Sequence, residues 1–208
     1  MRTPRRSAVD ESRTRTALLD AAQELMLEEG YAAVSSRRVG AKAGMNPAMV
    51  HYYFGTMDGL FIELFRRGAE RSFEQLTRAL LSAQPLWGFW EATHDQGNSA
   101  MTMEFIALAN HRKAIRSEIA GYSRRFRQTQ LAVLSRVLVG YGVDPQIWPP
   151  VTIILMMAGI SRFLLIEQEF EVDIGHAEMI AVIERHIREL EGDRVLEQPA
   201  LALRTESH

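Results

Sequence analysis

Residues 35–54 read SSRRVGAKAGMNPAMVHYYF, and this stretch decides the fold. Ser35 stands at the head of a short helical run, where its hydroxyl can accept an N–H of the first turn. Gly40 and Gly44 lie four apart, with Val39, Ala43, Met45, Val50 and Tyr53 as the apolar positions between and around them. A small residue at 40 lets a second helix approach the first, and Gly44 permits the positive φ of a sharp turn. Asn46 then caps the next helix, and Pro47 takes its first position, where the missing N–H costs nothing. Two short helices crossing steeply make a helix-turn-helix pattern. The spacing alone fits a generic helical hairpin equally well.

Outside this stretch the apolar spacing is helical almost throughout. Leu18, Ala21, Ala22, Leu25 and Met26 recur at three and four residues, the mark of a buried helical face, and Gly30 is placed to stop that helix. No alternating apolar and polar run is long enough for a sheet. Pro and Gly punctuation predicts an all-α chain of about nine helices, over 12–29, 36–43, 47–53, 57–82, 86–93, 99–110, 113–140, 146–169 and 175–191. Residues 193–208 are polar and mixed, as expected of a flexible tail.

Composition narrows the function classes. The 208 residues are 47% hydrophobic and 24% charged, which excludes a disordered or fibrous chain. The net charge of −2 excludes a basic coat protein for nucleic acid, but not a local basic patch. Residues 1–55 carry eight Lys/Arg against six acids, with the arginines in an N-terminal arm (Arg2, Arg5, Arg6, Arg13, Arg15) and in one short helix (Arg37, Arg38). Cysteine is absent, so no disulfide, thiolate metal site or Cys nucleophile exists. No apolar core of export-signal type follows the arm directly. The apolar run from Val151 to Ile166 falls short of a bilayer span and is interrupted by Arg162. A cytoplasmic protein without a membrane partner is expected.

The flanks of the opening stretch separate its two readings. The chain leads in as LEEGYAAVSSRRVGAKAG (residues 27–44) and leads out as HYYFGTMDGLF (residues 51–61). Over about residues 13–65 this resembles the DNA-binding domain of the TetR family of bacterial transcriptional regulators. The resemblance implies that the helix Asn46–Tyr53 enters the major groove. Pro47, Ala48, Met49 and His51 match base-facing positions. Arg37 matches a position that reaches a base or phosphate, Ser35 and Ser36 match the hydroxyl positions at that helix start, and Tyr52 and Tyr53 match phosphate-reaching aromatics. The chemistry agrees, since hydroxyls and helix-start N–H groups bind phosphate and Arg reads guanine with two hydrogen bonds. Two departures stand out. Met57 occupies the place of a usual phosphate-holding Lys. Gly40 replaces a usual Ala, which is expected to loosen its helix by roughly 1 kcal/mol. The basic arm can restore charge by reaching an adjacent minor groove, or it is a solvated tail.

The resemblance also divides the chain into a helix-turn-helix domain with its arm (1–55), a ligand-binding and dimerisation domain (56–192) and the tail (193–208). A lone helix-turn-helix reads a short half-site, so two copies related by a two-fold axis are expected. The helices 146–169 and 175–191 supply the dimer face in this family, which assigns Met156, Ile160, Phe163, Met179, Ile183 and Ile187 to it. The alternative is that they only close the monomer core. Trp87, Trp90, Met101, Phe105, Tyr122 and Phe126 are candidate linings of an effector pocket, since aromatics and methionines adapt to ligands; plain core packing accounts for them as well. His94, Asn110, His111 and Arg162 are the polar groups available to orient an effector. Arg162, a charge in an apolar helix, needs an acid such as Glu104 or Glu167, a carboxylate ligand, or solvent. The chain holds no GxSxG, HExxH, phosphate loop or GxGxxG, so no enzyme and no cofactor is expected. The expected function is a DNA-binding regulator, a repressor that leaves a pseudo-palindromic operator when a small apolar, acid-bearing effector binds. Its competitors are an activating or ligand-independent regulator and a helical ligand-binding protein that does not touch DNA.

Overall fold

The computed structural model of the chain describes residues 4–94 and 96–195, and for 4–9 and 96–99 the backbone alone. Most of the expected tail, from residue 196 on, lies outside them. The described residues form α1 (Pro4–Glu29), α2 (Ser36–Lys42), α3 (Ala48–Phe54), α4 (Met57–Leu80), α5 (Pro85–Thr93), α6 (Gln96–His111), α7 (Lys113–Gly140), α8 (Pro150–Gln168) and α9 (His176–Glu191), with a 3-10 turn at Tyr31–Ala33. No strand occurs among the described residues. The helical spacing in the sequence accounts for this all-α architecture.

Two boundaries differ from the sequence expectation for identifiable reasons. α1 begins at Pro4 rather than 12, so the backbone of the basic arm is an extension of the first helix; a proline suits a first helical turn, where no N–H partner is required. α8 begins at Pro150 rather than 146. Pro150 pushes the preceding residue out of the helical region, and Pro149 is accordingly extended (φ −57°, ψ 131°). Residues 141–149 instead form a turn opened by Gly142 at φ +73°.

Two hydrophobic cores are stacked along α4. The first joins Leu18, Ala22 and Met26 of α1 to Val39, Val50 and Phe54 of the helix-turn-helix, and it extends past residue 55 into Leu60, Phe61 and Leu64 of α4, Phe105 and Leu108 of α6 and Ile115 of α7. The second joins Leu76 and Leu80 of α4 to Leu86, Trp87, Phe89 and Trp90 of α5, Leu134 and Leu138 of α7, Ile154 and Met157 of α8, and Ile187 of α9. α4 crosses α5 so closely that a Cβ on Gly88 would lie 2.8 Å from the Ala79 carbonyl oxygen.

The end of α9 clamps the start of α5. The Glu191 carboxylate accepts N–H groups of Leu86 at 2.8 Å and Trp87 at 3.1 Å, satisfying donors that a helix start leaves free. Tyr141 donates its hydroxyl to the same carboxylate at 2.8 Å, and the Trp87 indole N–H donates to the Gly192 carbonyl at 3.0 Å.

Candidate nucleic-acid interface

The turn between α2 and α3 is closed by short-range geometry. The Met45 N–H donates to the Gly40 carbonyl at 2.8 Å, and Gly44 sits at φ +66°. A Cβ on Gly40 would lie 2.9 Å from the Met45 carbonyl oxygen and 3.0 Å from the Pro47 backbone. The expected loosening by Gly40 is therefore corrected: the missing side chain is what lets α2 and α3 meet this closely. Ser35 caps α2, accepting the Arg38 N–H at a long 3.4 Å. The Asn46 side-chain oxygen accepts the Ala48 N–H at 2.9 Å, and Pro47 already has helical angles, so capping works as read even though regular hydrogen bonding starts at Ala48.

Packing fixes which face of α3 is free. Val50 and Phe54 point into the first core, and Met49 and Tyr53 pack half-buried against it. Asn46, Pro47, Ala48, His51 and Tyr52 face outward, Tyr52 with 72% of its surface exposed. The Tyr52 ring stands edge-on to Tyr53, with centroids 5.0 Å apart. His51 Nδ1 lies 3.2 Å from the Gly55 carbonyl oxygen. A carbonyl only accepts, so Nδ1 carries the proton, and Nε2 is left as the nitrogen that can address a base.

The joint to α4 is equally constrained. Gly55 takes φ +70°, and Thr56 caps α4 by accepting the Gly59 N–H at 3.0 Å. A Cβ on Gly59 would overlap the Phe54 carbonyl oxygen. Met57 packs half-buried against the first core, so its side chain is part of the joint.

Charge on α2 is partly neutralised by α1. Arg38 pairs with Glu29, whose carboxyl is held below its usual range chiefly by that hydrogen bond. Lys42 pairs with Glu28 at 2.7 Å and Glu24 at 3.4 Å. Arg37 is exposed and has no ion pair among the described residues, beside exposed Ser35 and half-buried Ser36.

One surface thus presents a rigid short helix, an exposed arginine, hydroxyls and two tyrosines, on the element that the flanking motifs identified. Residues 18–64 match the family model described as bacterial regulatory proteins, tetR family. The helix-turn-helix segment is of the TetR type. A curated relative, the HTH-type transcriptional regulator BetI of Rhizobium meliloti, is 26% identical over 129 residues, covering 58% of this chain and 64% of the relative, so the match spans just under two thirds of that protein. The fold is shared with solved structures. Salmonella enterica GusR superposes with a TM-score of 0.68 at 14% identity, covering 87% of this chain and 96% of that one. A TetR regulator of Haloarcula marismortui gives 0.68 at 18% identity, covering 86% and 97%. A transcriptional regulator of Saccharomonospora viridis, solved in complex with choline, gives 0.63 at 15% identity, covering 90% and 100%.

The residues expected to line an effector pocket are scattered by this fold. Trp87 and Trp90 are buried in the second core and Phe105 in the first. Met101 packs against the first core, Phe126 against the second, and half-buried Tyr122 donates its hydroxyl to the Ala69 carbonyl at 2.7 Å. Arg162 is exposed and pairs with neither expected acid: Glu104 accepts the Tyr31 N–H at 2.6 Å, and Glu167 holds His176 at 2.8 Å. Of the dimerisation set, Met156, Phe163 and Met179 are exposed, Ile160 and Ile183 are half-buried, and Ile187 is in the second core. Glu104 and Arg112 were not singled out by sequence. Glu104 ties α6 to the 3-10 turn of the reading head, and Arg112 pairs with Asp58 at the start of α4, with its guanidinium 5.3 Å from the Phe61 ring centre. Their partners lie more than fifty residues away, and no local pattern marks them.

Proposed function

We propose that the protein is a repressor that acts in the cytoplasm. As a homodimer it holds a pseudo-palindromic operator, and it leaves that operator when a small apolar, acid-bearing effector binds among the C-terminal helices. The observation that carries the DNA half is the outward face of α3, locked from behind by Val50 and Phe54 and flanked by Arg37, which has no ion pair among the described residues. Val151, Leu155, Met156 and Phe163 on α8, with Met179, Val182 and Leu190 on α9, leave an apolar face exposed, and it supports pairing of two copies there. α8 is also the one described helix long and apolar enough to cross a membrane, but its inner face packs into the second core, which favours the protein–protein reading.

Release follows from the connections between domains. α4 belongs to both cores, Glu104 holds the Tyr31 N–H, Arg112 holds Asp58, and Arg67 holds Asp20 at 2.6 Å. An effector that moves α6 and α7 relative to α4 therefore moves the reading heads. It does so only by binding the DNA-incompetent arrangement more tightly. Selection of bound duplexes from a random pool tests the reading. Enrichment of two inverted half-sites, one helical turn (about 10–10.5 bp) or a multiple apart, is expected; enrichment of a single half-site, or of nothing, contradicts it.

A further inference from the structure

Between its two cores the bundle buries few side chains completely. From Phe65 to Gln75 α4 buries no side chain completely, and neither does α7 from Arg116 to Thr129. A ladder of rings crosses this waist: Phe105 to Phe65 at 5.3 Å, Phe65 to Tyr122 at 5.5 Å, Tyr122 to Phe126 at 5.3 Å, and Phe126 to Phe73 at 6.1 Å. Beside Phe126 the environment turns polar.

Three enclosed polar atoms there have no partner among the described residues: Arg127 Nη1 and Gln130 Oε1 on α7, and His94 Nε2 at the end of α5. Gln130 is only 2% exposed. The three belong to one level of the bundle. His94 is bonded to Ser161 of α8 at 2.9 Å, and Arg127, one helical turn from Gln130, is close enough to Arg162, the next residue of α8, to feel its charge.

The hydrogen-bond polarity of each group can be read. Ser161 has one proton and gives it to the Thr93 carbonyl at 2.6 Å, so its bond with His94 runs from Nδ1–H to the hydroxyl oxygen. Nε2 is then the bare, accepting nitrogen. Burial lowers the His94 pKa, against weaker upward pulls from the Trp90 backbone and then from Glu184 of α9, and favours the neutral ring. Gln130 Oε1 is an acceptor too. Arg127 is a donor with a full positive charge, and Arg162 adds another. An acceptor pair beside two cations calls for a molecule with an anionic end and a hydrogen-bond donor close to it, and the rings offer an apolar wall for the remainder.

We propose that Arg127, Gln130 and His94 form the polar end of the effector site, and that the effector is a small hydroxy-carboxylic acid. Its carboxylate sits on Arg127, and its hydroxyl donates to Gln130 Oε1 or His94 Nε2. The inference rests on the effector reading above and adds the chemistry that recognises the ligand. A cation such as choline carries the hydroxyl but the wrong charge.

The test titrates the intact protein with mandelate and 3-hydroxydecanoate, each beside its deoxy acid and its methyl ester, and with choline, reading heat and Tm. At least one hydroxy acid is expected to bind about tenfold or more tightly than its deoxy and ester counterparts. Gln130→Leu should erase the hydroxyl preference and Arg127→Leu the preference for acid over ester. Gln130→Leu should leave the free protein as stable as before, because it removes an unsatisfied buried acceptor at similar volume. Absence of any hydroxy-acid binding overturns the inference, as do equal binding of deoxy acids or choline and a preference that survives Gln130→Leu. Operator affinity measured alongside separates the two layers. An acid that releases DNA but ignores both variants keeps the release reading and removes this site. A hydroxy acid that binds with the expected variant pattern but leaves DNA binding unchanged keeps the site and removes the release reading.

Discussion

Arg37 and Arg38 are neighbours in sequence with different prospects. Arg38 is spent on Glu29, while Arg37 faces solvent without an ion pair among the described residues. Arg37→Ala is expected to weaken operator binding by about 1–3 kcal/mol if it reads a base, or to lower the salt slope by about 1 if it holds a phosphate. Arg38→Ala should change affinity much less. Titrations of both variants against operator and mismatched operator decide this, and an equal loss for the two contradicts it. Gly59 makes a second residue-scale case, since a Cβ there would overlap the Phe54 carbonyl oxygen. Gly59→Ala should destabilise the reading head by about 1–3 kcal/mol, measurable as a lower denaturation midpoint, whereas Gly68→Ala, with nothing within 4 Å of the new atom, should not. The capping by Asn46 was legible in sequence because donor and acceptor are two residues apart. The division of labour between the arginines was not, because Glu29 reaches Arg38 across a helix crossing.

At the scale of elements, Tyr141 links the end of α7 to the α5–α9 clamp through Glu191. Its pKa is pushed up to about 12, first by burial and then by the bond to Glu191, and burial pushes Tyr122 up to about 12 as well. An unfolded tyrosine titrates near 10. The folded state therefore holds these protons more tightly, and the resulting stability is complete below about pH 10 and lost as pH rises towards 12. Unfolding midpoints should fall across that window, and Tyr141→Phe should flatten part of the fall while lowering stability at neutral pH by about 1 kcal/mol. A variant with an unchanged alkaline profile contradicts the assignment. Helix type was readable along nearly the whole chain from period and punctuation. The start of α8 was missed because the constraint came from the Pro149–Pro150 pair rather than from apolar spacing. Trp87 looked like a pocket lining because the partners that hold it, Glu191 and Gly192, are more than a hundred residues away.

For the whole molecule, α8 and α9 carry an apolar face that stays exposed among the described residues, including Phe163 at 58% exposure. Phe163→Glu is expected to give a folded monomer by sedimentation, since it sets a charge in the proposed pairing face and leaves both cores intact. Ile187→Glu should unfold the second core instead. A Phe163→Glu dimer would move the interface elsewhere. The apolar character of the two helices was legible in sequence, but not the division of α9 between core and exposed face, which depends on how that helix is rotated against α5.

The central claim is that two copies of the α2–α3 head hold one operator largely through phosphates. The most direct measurement is operator affinity of the intact protein as a function of salt. With about 6–10 phosphate contacts, affinity should fall by roughly 10³–10⁵ between about 50 and 200 mM salt. An affinity that barely changes over that range would contradict the account.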